Sequence, residues 1–262
     1  MQNRHFYYYC KLSNIERGIF NIGESLAERE ECYSGDDEFL NELAQSLQFE
    51  GGVKPLFVFI HGYMADVTPV NRVMSYVIAK DIFTGPDQIV LHLHWQGKLI
   101  YSSTQLQVSE VVGPLFGKLL SQLDEKLGGK ATFNILVHSM GGFVLQHLLK
   151  EAKISNKINE CIMAAPDVET EAFIQSDYFG IDPKKILVLT CKDDKTLALA
   201  NFMNPYPRLG VSGHLLEEHS IPHYEISDFS EDDLLVGKIM KHRYFYTNQK
   251  IRTLIAEQLA KC

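Results

Sequence analysis

Cysteine is scarce and odd in number, with five residues in 262, at 10, 32, 161, 191 and 262, and no CxxC pair among them. A disulfide framework is thereby excluded, and a thiolate zinc site has no ligand spacing to build on. Cys161 and Cys191 stand inside apolar runs, the setting of small buried hydrophobes. Runs of one charge are also missing. No Lys/Arg run exceeds two residues and the formal net charge is −8, so the footprint that grips a phosphate backbone is lacking and nucleic acid is not an expected partner. Apolar runs such as "PLFVFI" and "CIMAAP" fall far short of the roughly 20 residues that cross a bilayer, and no membrane span is expected. The opening "MQNRHFYYYCKLSN" has neither the basic start nor the apolar middle of a secretory signal, so a cytoplasmic location is expected. No internal repeat, low-complexity segment or linker interrupts the chain.

What remains is an ordinary globular composition, 45% hydrophobic and 22% charged, over a length that buries a substantial core. The chain reads as one domain over 1–262, with 1–36 as an N-terminal edge extension. Short runs rich in Val, Ile, Leu and Phe recur at "VKPLFVFI" (53–60), "QIVLHLHW" (88–95), "TFNILVH" (132–138), "ECIMAAP" (160–166) and "KKILVLTC" (184–191), with "PHYEISDF" (222–229) a weaker sixth. Near-continuous apolar runs of this length suit strands covered on both faces. Between them lie helix-spaced segments: "TPVNRVMSYVIAKDIF", "STQLQVSEVVGPLFGKLLSQLDEKL", "GGFVLQHLLKEA", "ETEAFIQSDYF" and a final "TNQKIRTLIAEQLAK". The alternation predicts an α/β fold, a mainly parallel sheet with helices on both faces. "HFYYYCKLS" and "RGIFNIG" read as two strands added antiparallel at one edge, and "DDEFLNELAQSL" as a helix feeding the first central strand.

In such a sheet reactive groups gather at the carboxyl ends of the strands. After 132–138 the chain passes through "HSMGG" directly into a helix. A nucleophile elbow places serine at the apex of that turn with positive φ, and small residues around it let strand and helix approach. Gly141 supplies one small residue, while Val137 stands where glycine is usual. A serine that merely capped the helix would not require two consecutive glycines, so Ser139 is the candidate nucleophile. "FIHGYM" (59–64) ends the first central strand, where one oxyanion N–H commonly originates. The other comes from the residue after the nucleophile, which makes Tyr63 and Met140 the candidate donors. His61 is expected to shape that loop.

A serine hydroxyl needs a histidine base and an orienting carboxylate, in chain order serine, acid, histidine. Asp193 and Asp194 follow the penultimate strand, and Asp167 follows the strand before it. Of the histidines beyond them, His214, His219 and His223 lie on or near the last strand, and His242 lies between it and the final helix, where the base belongs. His92 and His94 share one strand face, but HxH alone gives two ligands and nothing completes the set. Neither metal nor cofactor is expected.

Taken in order, "HGY" 61–63, "HWQGKLIY" 94–101, "VHSMGG" 137–142, "AAPD" 164–167, "CKDDKTLALA" 191–200 and "KHRYFY" 241–246 resemble the motif series of the α/β-hydrolase superfamily. More narrowly, they resemble a bacterial α/β-hydrolase-like family of unknown function with HGY, AHSMG and GHSYY-like motifs. The resemblance spans about residues 37–260. It implies Ser139 as nucleophile, Asp194 as acid and His242 as base, and hence esterase or lipase-like acyl hydrolysis of a small-molecule acyl substrate without a cofactor. Departures at Val137, Gln96, Cys191, Thr196 and in "KHR" remove no member of the triad. Thioester or peptide cleavage on the same triad, and a binding protein that keeps the fold without turnover, are the alternatives. Short connections predict no large lid, and therefore a small or medium acyl group.

Overall fold

The computed structural model describes residues 3–22, 27–63, 70–85, 87–204, 206–227 and 241–260. Nine strands among them form one sheet: β1 (Arg4–Cys10), β2 (Ile15–Ile22), β3 (Ala27–Glu31), β4 (Leu56–Ile60), β5 (Ile89–Trp95), β6 (Phe133–His138), β7 (Ile158–Ala164), β8 (Ile186–Thr190) and β9 (His223–Glu225). Their spatial order is β9-β8-β7-β6-β4-β5-β1-β2-β3. All pairs from β9 to β1 are parallel, and β2 and β3 add antiparallel at the end.

The helices are α1 (Asp36–Leu47), α2 (Val70–Val77), α3 (Tyr101–Gln107), α4 (Gly113–Lys126), α5 (Gly141–Glu151), α6 (Thr170–Gln175), α7 (Lys195–Met203), α8 (Gly213–Glu218), α9 (Tyr244–Thr247) and α10 (Gln249–Leu259). A π turn at Ile78–Ile82 extends α2, and another at Val108–Val112 joins α3 to α4. None of the described helices is long and apolar enough to cross a membrane.

The apolar runs are strands because both faces of the sheet are covered. In β4, Leu56, Val58 and Ile60 enter one core layer with Phe39 of α1, Phe116 of α4 and Val144 of α5. The alternate residues Phe57 and Phe59 enter the other, with Met74 of α2 and Ile251 and Ile255 of α10. Every residue of β4, β5 and β6 is buried.

The N-terminal strands add at one edge of the sheet, β1 and β2 joined antiparallel as the sequence suggests, with β3 as a further strand that the sequence does not mark. β1 lies parallel to β5, with Arg4 opposite Ile89 and Cys10 opposite Trp95, so it continues the central sheet. β2 folds back on it, and β3 becomes the edge. The aromatic run of β1 explains this: Phe6 and Tyr8 face α1, while Tyr7 and Tyr9 pack with Phe20 on the other side, and a strand so covered belongs inside a sheet. The helix expected over "ETEAFIQSDYF" stops at Gln175, because Asp177, Tyr178 and Phe179 take left-handed φ values of 50, 56 and 62°. The last strand is confined to His223–Glu225; residues 228 and 229 of the expected run lie outside the described residues, as do residues 64–69 after Tyr63.

After β4 the chain passes to β5 on one side and then to β6 on the other. The carboxyl ends of β4 and β6 therefore flank the point where the winding reverses, the crevice in which open α/β sheets place their sites.

Candidate active site

Ser139 stands at that crevice with φ 54°, a left-handed conformation that costs a non-glycine residue about 1–2 kcal/mol. Its N–H donates to the Ala164 carbonyl at 3.0 Å, and its own carbonyl accepts from Gly142 and Asp167, each at 3.0 Å. Two glycines make room. A Cβ on Gly141 would lie 2.5 Å from the Ile60 carbonyl oxygen, and one on Gly62 would lie 2.7 Å from the Ser139 Cβ. The end of β4, the elbow and the start of α5 are thus in backbone contact. Met140, fully buried, is the N-cap of α5 and makes no side-chain cap bond, so the serine hydroxyl is not used to cap the helix. The valine at 137 sits fully buried in the core layer that holds Met140 and Val144.

Of the three acids that follow strands, Asp194 is the one beside His242. Its Oδ1 accepts the N–H groups of Thr196 at 2.9 Å and Leu197 at 3.0 Å, capping α7. Its Oδ2 accepts from His242 Nδ1 at 2.7 Å. A carboxylate there assigns the ring proton to Nδ1 and leaves the Nε2 lone pair open to accept one. Both side chains are buried. Asp193 instead faces solvent and takes Lys241 Nζ at 2.7 Å, a contact that lowers its carboxyl pKa. Asp167 accepts the Tyr101 hydroxyl at 2.6 Å and lies 3.4 Å from Arg208 Nε. Burial raises its carboxyl pKa despite the opposing pull of Arg208 and Tyr101. His214 and His219 are exposed on or at the end of α8, and His223 lies in β9 beside Glu217.

His138, immediately before the serine, is a contact that sequence reasoning passed over although it lies in "VHSMGG". Its Nε2–H donates to the His242 carbonyl at 3.0 Å, and its ring stacks on Phe245 with centroids 4.4 Å apart. Burial first, and the neighbouring His242 second, push its pKa well below the ordinary value, so it is a neutral donor. The segment that carries His242 is thereby tied to the residue next to Ser139. Tyr101 lies within "HWQGKLIY" and Asp167 is one of the candidate acids, whereas no motif contains Arg208.

On the other wall, His61 donates from Nδ1 to the Gly62 carbonyl at 2.7 Å and accepts the Trp95 N–H at Nε2 at 3.0 Å. The Trp95 indole N–H donates to the His61 carbonyl at 3.1 Å, and the two rings lie parallel. Burial lowers the His61 pKa to about 4. With both ring nitrogens engaged, this imidazole braces the loop. The Tyr63 hydroxyl donates to the carbonyls of Lys98 and Leu99 at 3.0 and 2.7 Å, which ties the loop after β4 to the one after β5.

His92 and His94 point into the sheet face that holds Tyr7 and Tyr9. His92 Nε2 is 3.2 Å from His5 Nδ1, and Arg29 Nη2 is 2.9 Å from His94 Nδ1. Arg29 itself lies 4.2 Å over the Tyr9 ring. An arginine donating to an imidazole nitrogen takes the lone pair that a metal would need, and no cluster of three or more His, Cys, Asp or Glu suited to a metal occurs among the described residues.

A family model described as an alpha/beta hydrolase of unknown function matches residues 36–258. Among solved structures, the chain is similar to the ydeN gene product of B. subtilis, with 13% identity and a TM-score of 0.41 over 79% of this chain and 100% of that one. It is also similar to an esterase of Pyrobaculum calidifontis, with 11% identity and a TM-score of 0.42 over 79% and 76%. A third is phospholipase PlaB of Legionella pneumophila in complex with thio-NAD, with 14% identity and a TM-score of 0.33 over 55% and 38%. No curated protein matches.

Proposed function

The chain belongs to this alpha/beta-hydrolase family, and from that premise we propose that it is a serine hydrolase cleaving an acyl ester through a Ser139–His242–Asp194 triad. The observation that carries the reading is the 2.7 Å contact from His242 Nδ1 to Asp194 Oδ2, on a segment whose His242 carbonyl is bound by His138, the residue before a serine held at φ 54° on a strand-to-helix turn.

Ser139 Oγ attacks the ester carbonyl carbon while its proton passes to His242 Nε2, and Asp194 stays ionised and stabilises the imidazolium. The oxyanion accepts the N–H groups of Met140 and Tyr63; the first also lies at the positive end of α5. Collapse of the tetrahedral adduct breaks the bond to the alcohol, which leaves with the proton from Nε2. Water then attacks the acyl-enzyme and gives its proton to Nε2. The second collapse returns that proton to Ser139 and frees the acid. No step passes through a cofactor.

Incubation with a serine-reactive fluorophosphonate, followed by peptide mass mapping, tests the reading. The wild type is expected to label at Ser139 and the Ser139→Ala variant to stay unlabelled. An unlabelled wild type, or equal labelling of both, defeats it.

A further inference from the structure

Two apolar segments stand in water at the catalytic edge of the sheet. Leu99 and Ile100, which follow β5, are 87% and 64% exposed, and Phe202, near the end of the helix that follows β8, is 88% exposed. Leu199, Met203 and Tyr206 beside Phe202 are each at least half exposed. Both segments leave from the carboxyl ends of parallel strands, the edge at which Ser139 sits.

They also converge on one buried carboxylate. Tyr101, next to Ile100, donates to Asp167 Oδ2 at 2.6 Å, and Arg208, two residues beyond Tyr206, lies 3.4 Å from Oδ1. Asp167 in turn donates its N–H to the Ser139 carbonyl. The Leu99 and Lys98 carbonyls are bound by the Tyr63 hydroxyl, so the exposed side chains ride on a backbone anchored at several points.

We propose that this rim seats the protein on a phospholipid–water interface and that the acyl ester is drawn from that surface. The inference rests on the reading of Ser139 as nucleophile. Neighbouring large apolar side chains exposed together, as Leu99 with Ile100 and Phe202 with Met203 are, mark an interaction surface. A folded protein spanning both segments would seal the candidate nucleophile from its substrate, whereas a lipid assembly covers the rim and supplies the ester. The charges agree. Lys98, Lys192 and Lys195 are exposed on or just before these two segments, and the acids beside them are engaged, Asp193 by Lys241 and Glu225 by the Thr190 hydroxyl and the Lys192 N–H, a cationic balance in a chain of net charge −8 that suits phosphate headgroups. The substrate class is thus a lipid ester, larger than the acyl group that short loops suggest.

The test is co-sedimentation of the full chain with phosphatidylcholine vesicles, with and without phosphatidylglycerol, for the wild type and the side-chain variants Leu99→Ser/Ile100→Ser and Phe202→Ser/Met203→Ser. The wild type is expected to sediment with the vesicles, and each double variant to partition roughly tenfold less while fluorophosphonate labels Ser139 at the wild-type rate in lipid-free buffer. A wild type that stays in the supernatant with both vesicles, or variants that bind equally well, overturns the docking surface. So does a dimer in sedimentation velocity that both variants abolish, without vesicle binding. Labelled Ser139 without vesicle binding removes the docking surface and leaves the hydrolase; vesicle binding with Ser139 unlabelled leaves the surface and removes the hydrolase.

Discussion

Asp194 uses its two oxygens for different tasks, and a single substitution separates them. Oδ1 caps α7 through Thr196 and Leu197, and Oδ2 receives the His242 Nδ1–H. In Asp194→Asn the two helix N–H groups fix which way the amide faces, because turning its NH2 toward them would set donor against donor. The carbonyl stays on the cap and the NH2 group meets His242. The imidazole must then accept at Nδ1 and carry its proton on Nε2, where it cannot take one from Ser139. A base locked in the wrong tautomer costs about 10⁴-fold in kcat, or roughly 5.4 kcal/mol in the barrier, while stability changes little because asparagine caps as well as aspartate. Asp194→Ala should lose the same activity and also the cap, about 1 kcal/mol, which lowers Tm by roughly 2–4 °C in a chain of this size. Turnover of a p-nitrophenyl ester accepted by the wild type, together with thermal melts, reads both quantities. An asparagine variant within tenfold of wild-type kcat would refute Asp194 as the orienting acid.

Asp167→Asn leaves Arg208, 2% exposed, buried without its counter-charge, which should cost about 3–5 kcal/mol. Urea denaturation should show that loss and its substantial recovery in the double variant Asp167→Asn/Arg208→Met; a single variant as stable as the wild type would contradict the pairing. The buried histidines predict acid sensitivity. Burial holds His5 and His61 at about 4, against an ordinary 6.5, so between these values both are neutral when folded and protonated when unfolded. Their contribution is whole above pH 6.5 and is lost as pH falls toward 4, by up to about 3 kcal/mol each. The urea midpoint should therefore fall steadily from pH 7 to pH 5, and a constant midpoint would count against neutral burial.

Much of the central architecture was legible in local pattern. Apolar runs such as "PLFVFI" declare strands covered on both faces, and "HSMGG" after such a run declares a sharp turn into a helix. These are short-range consequences of burial and backbone geometry, which a few consecutive residues fix. Pairing over distance was not legible. Nothing near Arg4 says that its partner is Ile89, and β1 enters the parallel sheet by pairing with a strand far along the chain. The acid was equally open, since Asp167, Asp193 and Asp194 all follow strands. Tertiary packing distinguishes them: Arg208 and Tyr101 occupy the first, Lys241 the second, and the α7 cap turns the third toward His242. The sequence by itself determined which residues could do chemistry and at which edge of the sheet they gather. Only the tertiary structure decided which of them meet, because a hydrogen bond at 2.7 Å between residues 48 positions apart depends on the path of all the chain between them.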